Sequence, residues 1–321
     1  MQETRLNMIE NNIILETSTN HLSGTLCLPG AAQYPIVLMI HGSGPLDRDE
    51  NLKNMKLNIF NTIAHSLIKA GFASLRYDKR GCGKSSGNYW TSGHYDLVDD
   101  ASAWIEHFKK HKNVDAKNIF ILGHSEGTLI AAQLSIKYPD IAGIILLNPF
   151  IQNLRDILVQ QALNFEHSVE TLAGIKGRLF RLIIPRLINP VRIQKKFIAK
   201  IESSSEPTLR HFGARIPAKW AREGLAVNPR KIYQKVNSPL MIISGDKDIQ
   251  CSHEDAIEIC NTVQMECTHY LIKNLTHILR KDNDKPSIFH YKRLLKEPMS
   301  EDVLNHICDW LISFKNSKKM D

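Results

Sequence analysis

Residues 118–127 read NIFILGHSEG, and this stretch decides the fold. Residues 118–123 form a short continuous apolar run, which is typical of a strand covered on both faces. The next residues, 123–127, match G-x-S-x-G, and a helical pattern begins near Ser125. In this context the motif predicts a sharp strand-to-helix turn, in which small residues flank the serine and its hydroxyl stands above the sheet edge.

Similar patterns extend outward from this turn and indicate strands that alternate with helices. Short apolar runs predict strands at 35–40, 72–77, 142–148, 239–245 and 268–272. Helical spacing predicts helices at about 56–70, 96–110 and 253–263 and from about 300 onward. Residues 13–28 predict an antiparallel hairpin. The order is typical of an α/β fold with a mostly parallel, doubly wound sheet.

The alternation stops between residues 151 and 235. This segment has a helical pattern and no strand run, so we expect a helical insertion into a core formed by residues 1–150 and 236–321. It carries 16 basic and 6 acidic residues, a net charge of +10, whereas the rest of the chain has a net charge of −2. A local excess of basic residues is informative about which anionic molecules or surfaces the protein attracts, and not about its fold.

Composition excludes several classes of protein. The chain has 321 residues, of which 43% are hydrophobic and 23% charged, as in ordinary soluble domains. No apolar run reaches the roughly 18 residues of a membrane span, and no nucleic-acid-binding motif is evident. The six cysteines form no CxxC pair, so we expect free thiols and no metal site. The polar N-terminus lacks signal-peptide character, and we therefore expect a cytoplasmic protein.

Ser125 is the candidate nucleophile, because a serine at such a turn is activated when a histidine takes its proton and an acid orients that histidine. In this architecture the chain order is serine, acid, histidine. Asp246 and Asp248 both follow the strand at 239–245. Asp248 is favoured, since Asp246 is better placed to shape the turn itself.

His277 is the candidate base, because it follows the last strand by a few residues. His253 comes too early in the chain order, and His269 lies inside a strand. The oxyanion of an acyl transfer requires preorganised N–H donors. We expect these from the backbone of Glu126, the residue after the nucleophile, and of Ser43.

The loop at 78–87 is rich in glycine and resembles a phosphate-binding loop only at its end. Residues 83–85 match the G-K-[ST] ending, but Asp78 stands where that motif requires a glycine. We interpret this loop as structural, and the sequence implies no metal and no organic cofactor.

These motifs together resemble the α/β-hydrolase superfamily. Residues 41–49, 76–85 and 123–127 are similar to a bacterial carboxylesterase branch that is described as serine-aminopeptidase-like or related to dienelactone hydrolases. The 245–248 and 276–277 segments match the positions of the family's acid and base. The family inserts a helical cap after the sixth strand, and residues 151–235 match that position. The resemblance implies fold and catalytic residues more strongly than substrate.

The sequence therefore predicts a serine hydrolase that cleaves small-molecule esters with small to medium hydrophobic acyl groups through an acyl-enzyme. The alternative is a thioesterase or a phospholipid-directed lipase whose basic cap recognises a phosphate group. That cap also allows peripheral contact with an anionic membrane. A non-catalytic binding protein on this fold is the third hypothesis, against which the presence of serine, acid and histidine argues.

Overall fold

The apolar runs of the sequence form the centre of one eight-stranded sheet in this computed structural model, which describes residues 8–171 and 189–317. The strands are β1 (Ile9–Glu16), β2 (His21–Leu28), β3 (Tyr34–Ile40), β4 (Ala73–Tyr77), β5 (Val114–His124), β6 (Gly143–Leu147), β7 (Thr208–His211), β8 (Ala214–Pro217), β9 (Leu240–Gly245) and β10 (Cys267–Ile272). The helices are α1 (Ile59–Lys69), α2 (His94–Phe108), α3 (Glu126–Lys137), α4 (Leu154–Glu170), α5 (Pro190–Glu202), α6 (Ala218–Ala226), α7 (Pro229–Tyr233), α8 (His253–Thr262), α9 (Tyr291–Leu294) and α10 (Glu301–Ser317).

The sheet has the strand order β1-β2-β4-β3-β5-β6-β9-β10. The pairs β1–β2 and β2–β4 are antiparallel, and all the other neighbouring pairs are parallel. The expected α/β class, with a mostly parallel sheet and an antiparallel N-terminal hairpin, is confirmed. Parallel strands end at one edge, so the loops after β3, β5, β9 and β10 meet there.

Two apolar layers hold the sheet between helices. Successive side chains of a strand point to opposite faces, and in β3 Ile36 and Leu38 pack into one cluster, whereas Val37 and Met39 pack into the other. The first cluster includes residues of α2, α3 and α8, and the second includes residues of α1 and α10. Burial on both faces explains why these strands read as continuous apolar runs.

Between β6 and β9 the structure departs from the purely helical expectation. Residues 208–217 form an antiparallel hairpin, β7–β8, beside α4 to α7, so the prediction of no strand in this segment was wrong. Leu209 and Ile216 of the hairpin pack against Phe197 and Ala221. Each strand has only four residues, which is too short for a periodic signal, and tertiary packing decides their conformation.

In the sequence, residues 177–190 interleave apolar and basic side chains, and of this stretch all but residues 189 and 190 lie outside the described residues. Among the residues that are described, no helix is both long and apolar enough to cross a bilayer.

The expectation of free thiols is also corrected. Cys260 and Cys267 form a disulfide, because the end of α8 and the start of β10 bring their Cα atoms to 5.4 Å. The spacing of seven residues resembles none of the common cysteine motifs, and the pairing follows from the loop that joins helix to strand. The other four cysteines, at 27, 82, 251 and 308, are free.

Candidate active site

Ser125 lies at the turn between β5 and α3 with φ 52° and ψ −117°, a conformation that residues with a side chain rarely adopt. A Cβ on Gly123 would clash with the backbone of Gly127, and one on Gly127 would clash with the carbonyl oxygen of Ile40. The Ser125 N–H donates to Leu147 O of β6 at 3.0 Å. Two close backbone approaches and this hydrogen bond hold the strained turn.

Asp248 and His277 meet in the loops that follow β9 and β10. Oδ2 of Asp248 lies 2.7 Å from Nδ1 of His277, and both side chains are buried. The other carboxylate oxygen accepts the N–H groups of Gln250 at 2.7 Å and Cys251 at 3.0 Å. These bonds fix the carboxylate and, through Nδ1, the imidazole, while none of the hydrogen bonds found among the described residues uses Nε2 of His277.

The rival residues have other partners. Asp246 Oδ1 accepts the N–H of Asn274 at 2.6 Å, so this carboxylate ties the loop after β9 to the loop after β10. His269 Nε2 lies 2.7 Å from Ser244 Oγ within the sheet, and His253 begins α8.

Cys251 lies between Ser125 and the Asp248–His277 pair, and sequence reasoning missed it. Its thiol shares a hydrogen bond with the side chain of Ser125, and burial raises the pKa of that thiol well above its usual range. Its Sγ also lies within 4.8 Å of a carboxylate oxygen of Asp248 and a ring nitrogen of His277. Ser125, Asp248 and His277 therefore converge around one buried sulfur.

Two of the described residues with a free backbone N–H, Ser43 and Glu126, line the cavity above Ser125. Glu126 is the first residue of α3, and an N–H at that position has no acceptor inside its own helix. None of the hydrogen bonds among the described residues uses the N–H of Ser43. Ser43, Ser125 and Glu126 all line this cavity. The N–H of Gly42 is not available to an oxyanion, because it donates to Glu50 Oε1 at 2.7 Å.

A buried ion pair involves His124, the residue before Ser125, and it was not predicted. Nδ1 of His124 lies 2.8 Å from Glu50 Oε2, and its Nε2 lies 3.0 Å from the carbonyl oxygen of His277. Burial by itself would lower the pKa of His124, but the attraction and hydrogen bond of Glu50 outweigh it and raise that pKa. Burial would likewise raise the pKa of Glu50, whereas the charge and hydrogen bond of His124 lower it.

A second buried charge cluster surrounds the side chain of Glu126. Lys79 Nζ lies 3.5 Å from Glu126 Oε2, and Trp220 of α6 donates its indole N–H to Oε1. Burial would raise the pKa of this carboxyl, but attraction to Lys79 and bonds from His94 and Trp220 lower it to about 2. Lys79 belongs to the loop at 78–87, so one residue of that loop reaches the site.

The cavity above Ser125 is small and largely apolar, with a volume of about 80 Å³. Its lining residues from the core and the 151–235 segment are Ser43, His94, Ser125, Glu126, Leu129, Phe150, Leu154, Ile157, Leu158, Gln161, Trp220, Gly224, Pro229 and Cys251. Half of them belong to the described parts of that segment, at 154–161 and 220–229, which therefore lie over Ser125.

A serine at a strained turn on the edge of a mostly parallel sheet, with an acid and a histidine after later strands, defines the class of α/β-hydrolases. Residues 53–284 match the family described as Serine aminopeptidase, S33, which is more than half of the chain. The chain belongs to this family, and it is a hydrolase.

Individual proteins are similar to this chain in sequence or in fold. Over 305 residues the chain is 24% identical to Esterase EstD of Thermotoga maritima, covering 92% of this chain and 67% of that protein. Est1E of Butyrivibrio proteoclasticus, solved with bound ferulic acid, superposes with a TM-score of 0.60 and 18% identity, covering 94% and 99% of the two chains. For the Pyrococcus furiosus esterase Pf2001 the TM-score is 0.59 at 15% identity, with 98% and 94% covered.

Proposed function

We propose that this chain hydrolyses carboxylic esters with small hydrophobic acyl groups through an acyl-enzyme on Ser125. The observation that carries the proposal is the hydrogen bond of 2.7 Å between Asp248 and His277, beside a serine that is held at a strained turn. The esterase relatives named above support an ester rather than an amide as the substrate.

Each step uses a group of this chain. His277 Nε2 takes the hydroxyl proton as Ser125 Oγ bonds to the ester carbonyl carbon, and the carbonyl π electrons move to the oxygen. The N–H groups of Ser43 and Glu126 donate to that oxyanion. The oxyanion then re-forms the carbonyl, the bond from carbon to the alcohol oxygen breaks, and His277 gives its proton to that oxygen so that the alcohol leaves. Water attacks the acyl-enzyme in the same way and releases the carboxylic acid.

The size of the cavity supports a small acyl group. A space of about 80 Å³ with Leu129, Phe150 and Leu158 in its walls excludes a long chain unless the covering segment moves. In this proposal residues 151–235 act as a cap that keeps water away from the acyl pocket.

The test combines active-site labelling with an ester series. We expect a fluorophosphonate probe to label Ser125 and nitrophenyl acetate and butyrate to be cleaved faster than the decanoate. Ser125→Ala abolishes labelling, and His277→Ala lowers kcat about 10³-fold or more. His269→Ala is the matched control and retains activity, because its partner is Ser244.

Nitrophenyl acetate, acetyl nitroanilide and acetyl-CoA, assayed side by side, separate esterase from amidase and thioesterase activity. A wild-type protein that neither labels nor turns over any of these esters contradicts the proposal.

A further inference from the structure

Both polar groups of Gly42 are bound by buried charged side chains from elsewhere in the chain. Its N–H donates to Glu50 Oε1 at 2.7 Å, and its carbonyl oxygen accepts from Lys79 Nζ at 2.6 Å. The Glu50 side chain is 1% exposed and that of Lys79 is 4% exposed. Buried charges carry a desolvation cost, and charge-assisted hydrogen bonds of this length are strong and directional. The Gly42 backbone is therefore held more tightly than an ordinary loop.

The carbonyl of Gly42 and the N–H of Ser43 belong to one peptide unit. Peptide units are planar and, since the described residues contain no cis peptide bond, trans, so this oxygen and this hydrogen point in opposite directions. Lys79, which fixes the direction of the Gly42 oxygen, thereby fixes the direction of the Ser43 N–H. Gly42 itself lies beside Ser125, because a Cβ built on Gly42 would be 3.2 Å from the Ser125 Cβ, so the peptide unit that joins Gly42 to Ser43 begins next to the candidate nucleophile.

The same ammonium group also reaches the second expected oxyanion donor. Lys79 Nζ is 3.5 Å from Oε2 of Glu126, whose N–H begins α3. One cation thus contacts the residue that precedes Ser43 and the residue that follows Ser125. A hydrogen-bond donor stabilises a transition state in proportion to how well it is oriented before the reaction.

We propose that Lys79 is a positioning residue that orients the Gly42–Ser43 peptide and Glu126 as an oxyanion hole, with Glu50 holding the other end of Gly42. Lys79 does not touch the substrate; it acts through the backbone. The inference rests on the proposed acyl transfer at Ser125, and it extends that proposal to a lysine in a loop which the sequence presents as structural.

Lys79→Met removes the donor and keeps the length of the side chain. Because it also leaves the Glu126 carboxylate buried without its cation, the double variant Lys79→Met/Glu126→Gln removes both charges and protects the fold. Lys137→Met is the matched control. Lys137 donates to Ser102 Oγ at a distance of 3.0 Å, and neither residue lines the cavity.

Titration with the fluorophosphonate gives the concentration of active sites, from which kcat is calculated. The other two measurements are KM for nitrophenyl butyrate and Ki for an alkyl boronic acid, whose adduct with the serine carries a negatively charged oxygen like the oxyanion. For both Lys79 variants we expect kcat to fall by about 10- to 100-fold with KM within about twofold. The boronic acid Ki should rise by the same factor as kcat falls. Lys137→Met should leave all three at wild-type values.

A double variant that folds and keeps the wild-type kcat and Ki overturns the inference. A Lys79 variant in which only KM rises also overturns it, because Lys79 would then be a substrate-binding residue. A lower Tm with unchanged kcat per titrated site makes Lys79 merely structural and also overturns it. If wild-type protein itself fails to label and to hydrolyse esters, the proposed function fails instead.

Discussion

The imidazole of His124 joins the nucleophile turn to the loop that carries the candidate base: its Nε2 lies 3.0 Å from the backbone oxygen of His277, and the two rings are 5.0 Å apart. Its other nitrogen faces the Glu50 carboxylate. A carboxylate and a carbonyl oxygen both accept hydrogen bonds, so both contacts are satisfied together when His124 is protonated on both ring nitrogens. This buried pair therefore links the residue before Ser125 to the backbone of His277 and, through Glu50, to Gly42.

This pair predicts a pH-dependent stability. The pKa of His124 is raised on folding, so its contribution is complete below the ordinary value of 6.5 and is lost as pH rises through the raised pKa. The pKa of Glu50 is lowered, so its contribution is complete above 4.5 and is lost as pH falls through the lowered pKa. We expect the pair to stabilise most between these two ordinary values.

Glu50→Gln tests this prediction because it keeps the shape of the side chain and removes the charge. Urea unfolding of both proteins is measured across the pH range. From pH 4.5 to 6.5 the free energy of unfolding of wild type should exceed that of Glu50→Gln by about 2 kcal/mol, and below and above this range the two proteins should differ by less. A difference that does not vary with pH would mean that the pair is not ionised.

The two aspartates after β9 predict opposite mutant phenotypes. Asp248→Asn removes the acceptor that holds Nδ1–H of His277, so kcat should fall by about 10³-fold or more with little change in KM. Asp246→Asn disturbs only the bond to Asn274, and kcat should stay within about threefold of wild type. Steady-state kinetics on nitrophenyl acetate measure both. Equal losses in the two variants would show that the acid has been assigned to the wrong residue.

We expect Trp220 to limit the length of the acyl chain that the cavity accepts. Its ring lines the small cavity and its indole N–H donates to Glu126, so Trp220→Ala should enlarge the pocket. We expect kcat/KM for nitrophenyl decanoate relative to the acetate to rise about tenfold. Trp90→Ala is the control, because Trp90 contacts Arg215 of β8 and does not line this cavity. An unchanged ratio in Trp220→Ala would show that acyl chains do not enter there.

The disulfide predicts a stability change without a change in chemistry. It closes a loop of seven residues between α8 and β10, for which the loop-entropy relation gives about 2 kcal/mol. Cys260→Ser/Cys267→Ser should lower Tm by several degrees, as should dithiothreitol on wild type, while kcat stays unchanged. Cys308→Ser, which changes a free thiol, is the control. If the Tm of wild type is the same with and without dithiothreitol, the result contradicts the disulfide.

Strand and helix order could be predicted from the sequence because a strand buried on both faces must be apolar throughout, and the β3 to β6 runs carry that pattern. The turn at Ser125 was equally accessible through its motif, in which Gly123 is required by crowding against Gly127 inside the turn and Gly127 by the approach of Ile40 from β3. The β7–β8 hairpin and the disulfide were not. Four-residue strands and an unfamiliar cysteine spacing carry no local signal, and only contacts across the fold decide them.

For the site, the sequence by itself determined the candidates Ser125, Asp248 and His277, through a short motif and the order in which strands end. Tertiary structure alone decided which atoms meet: Asp248 rather than Asp246 at His277, and Lys79 at Gly42 from 37 residues away. Glu50 reaches His124 from a distance of 74 residues. The physical reason is that a strand or turn reflects local packing and backbone geometry, whereas a buried charge is tolerated only where a distant partner compensates it.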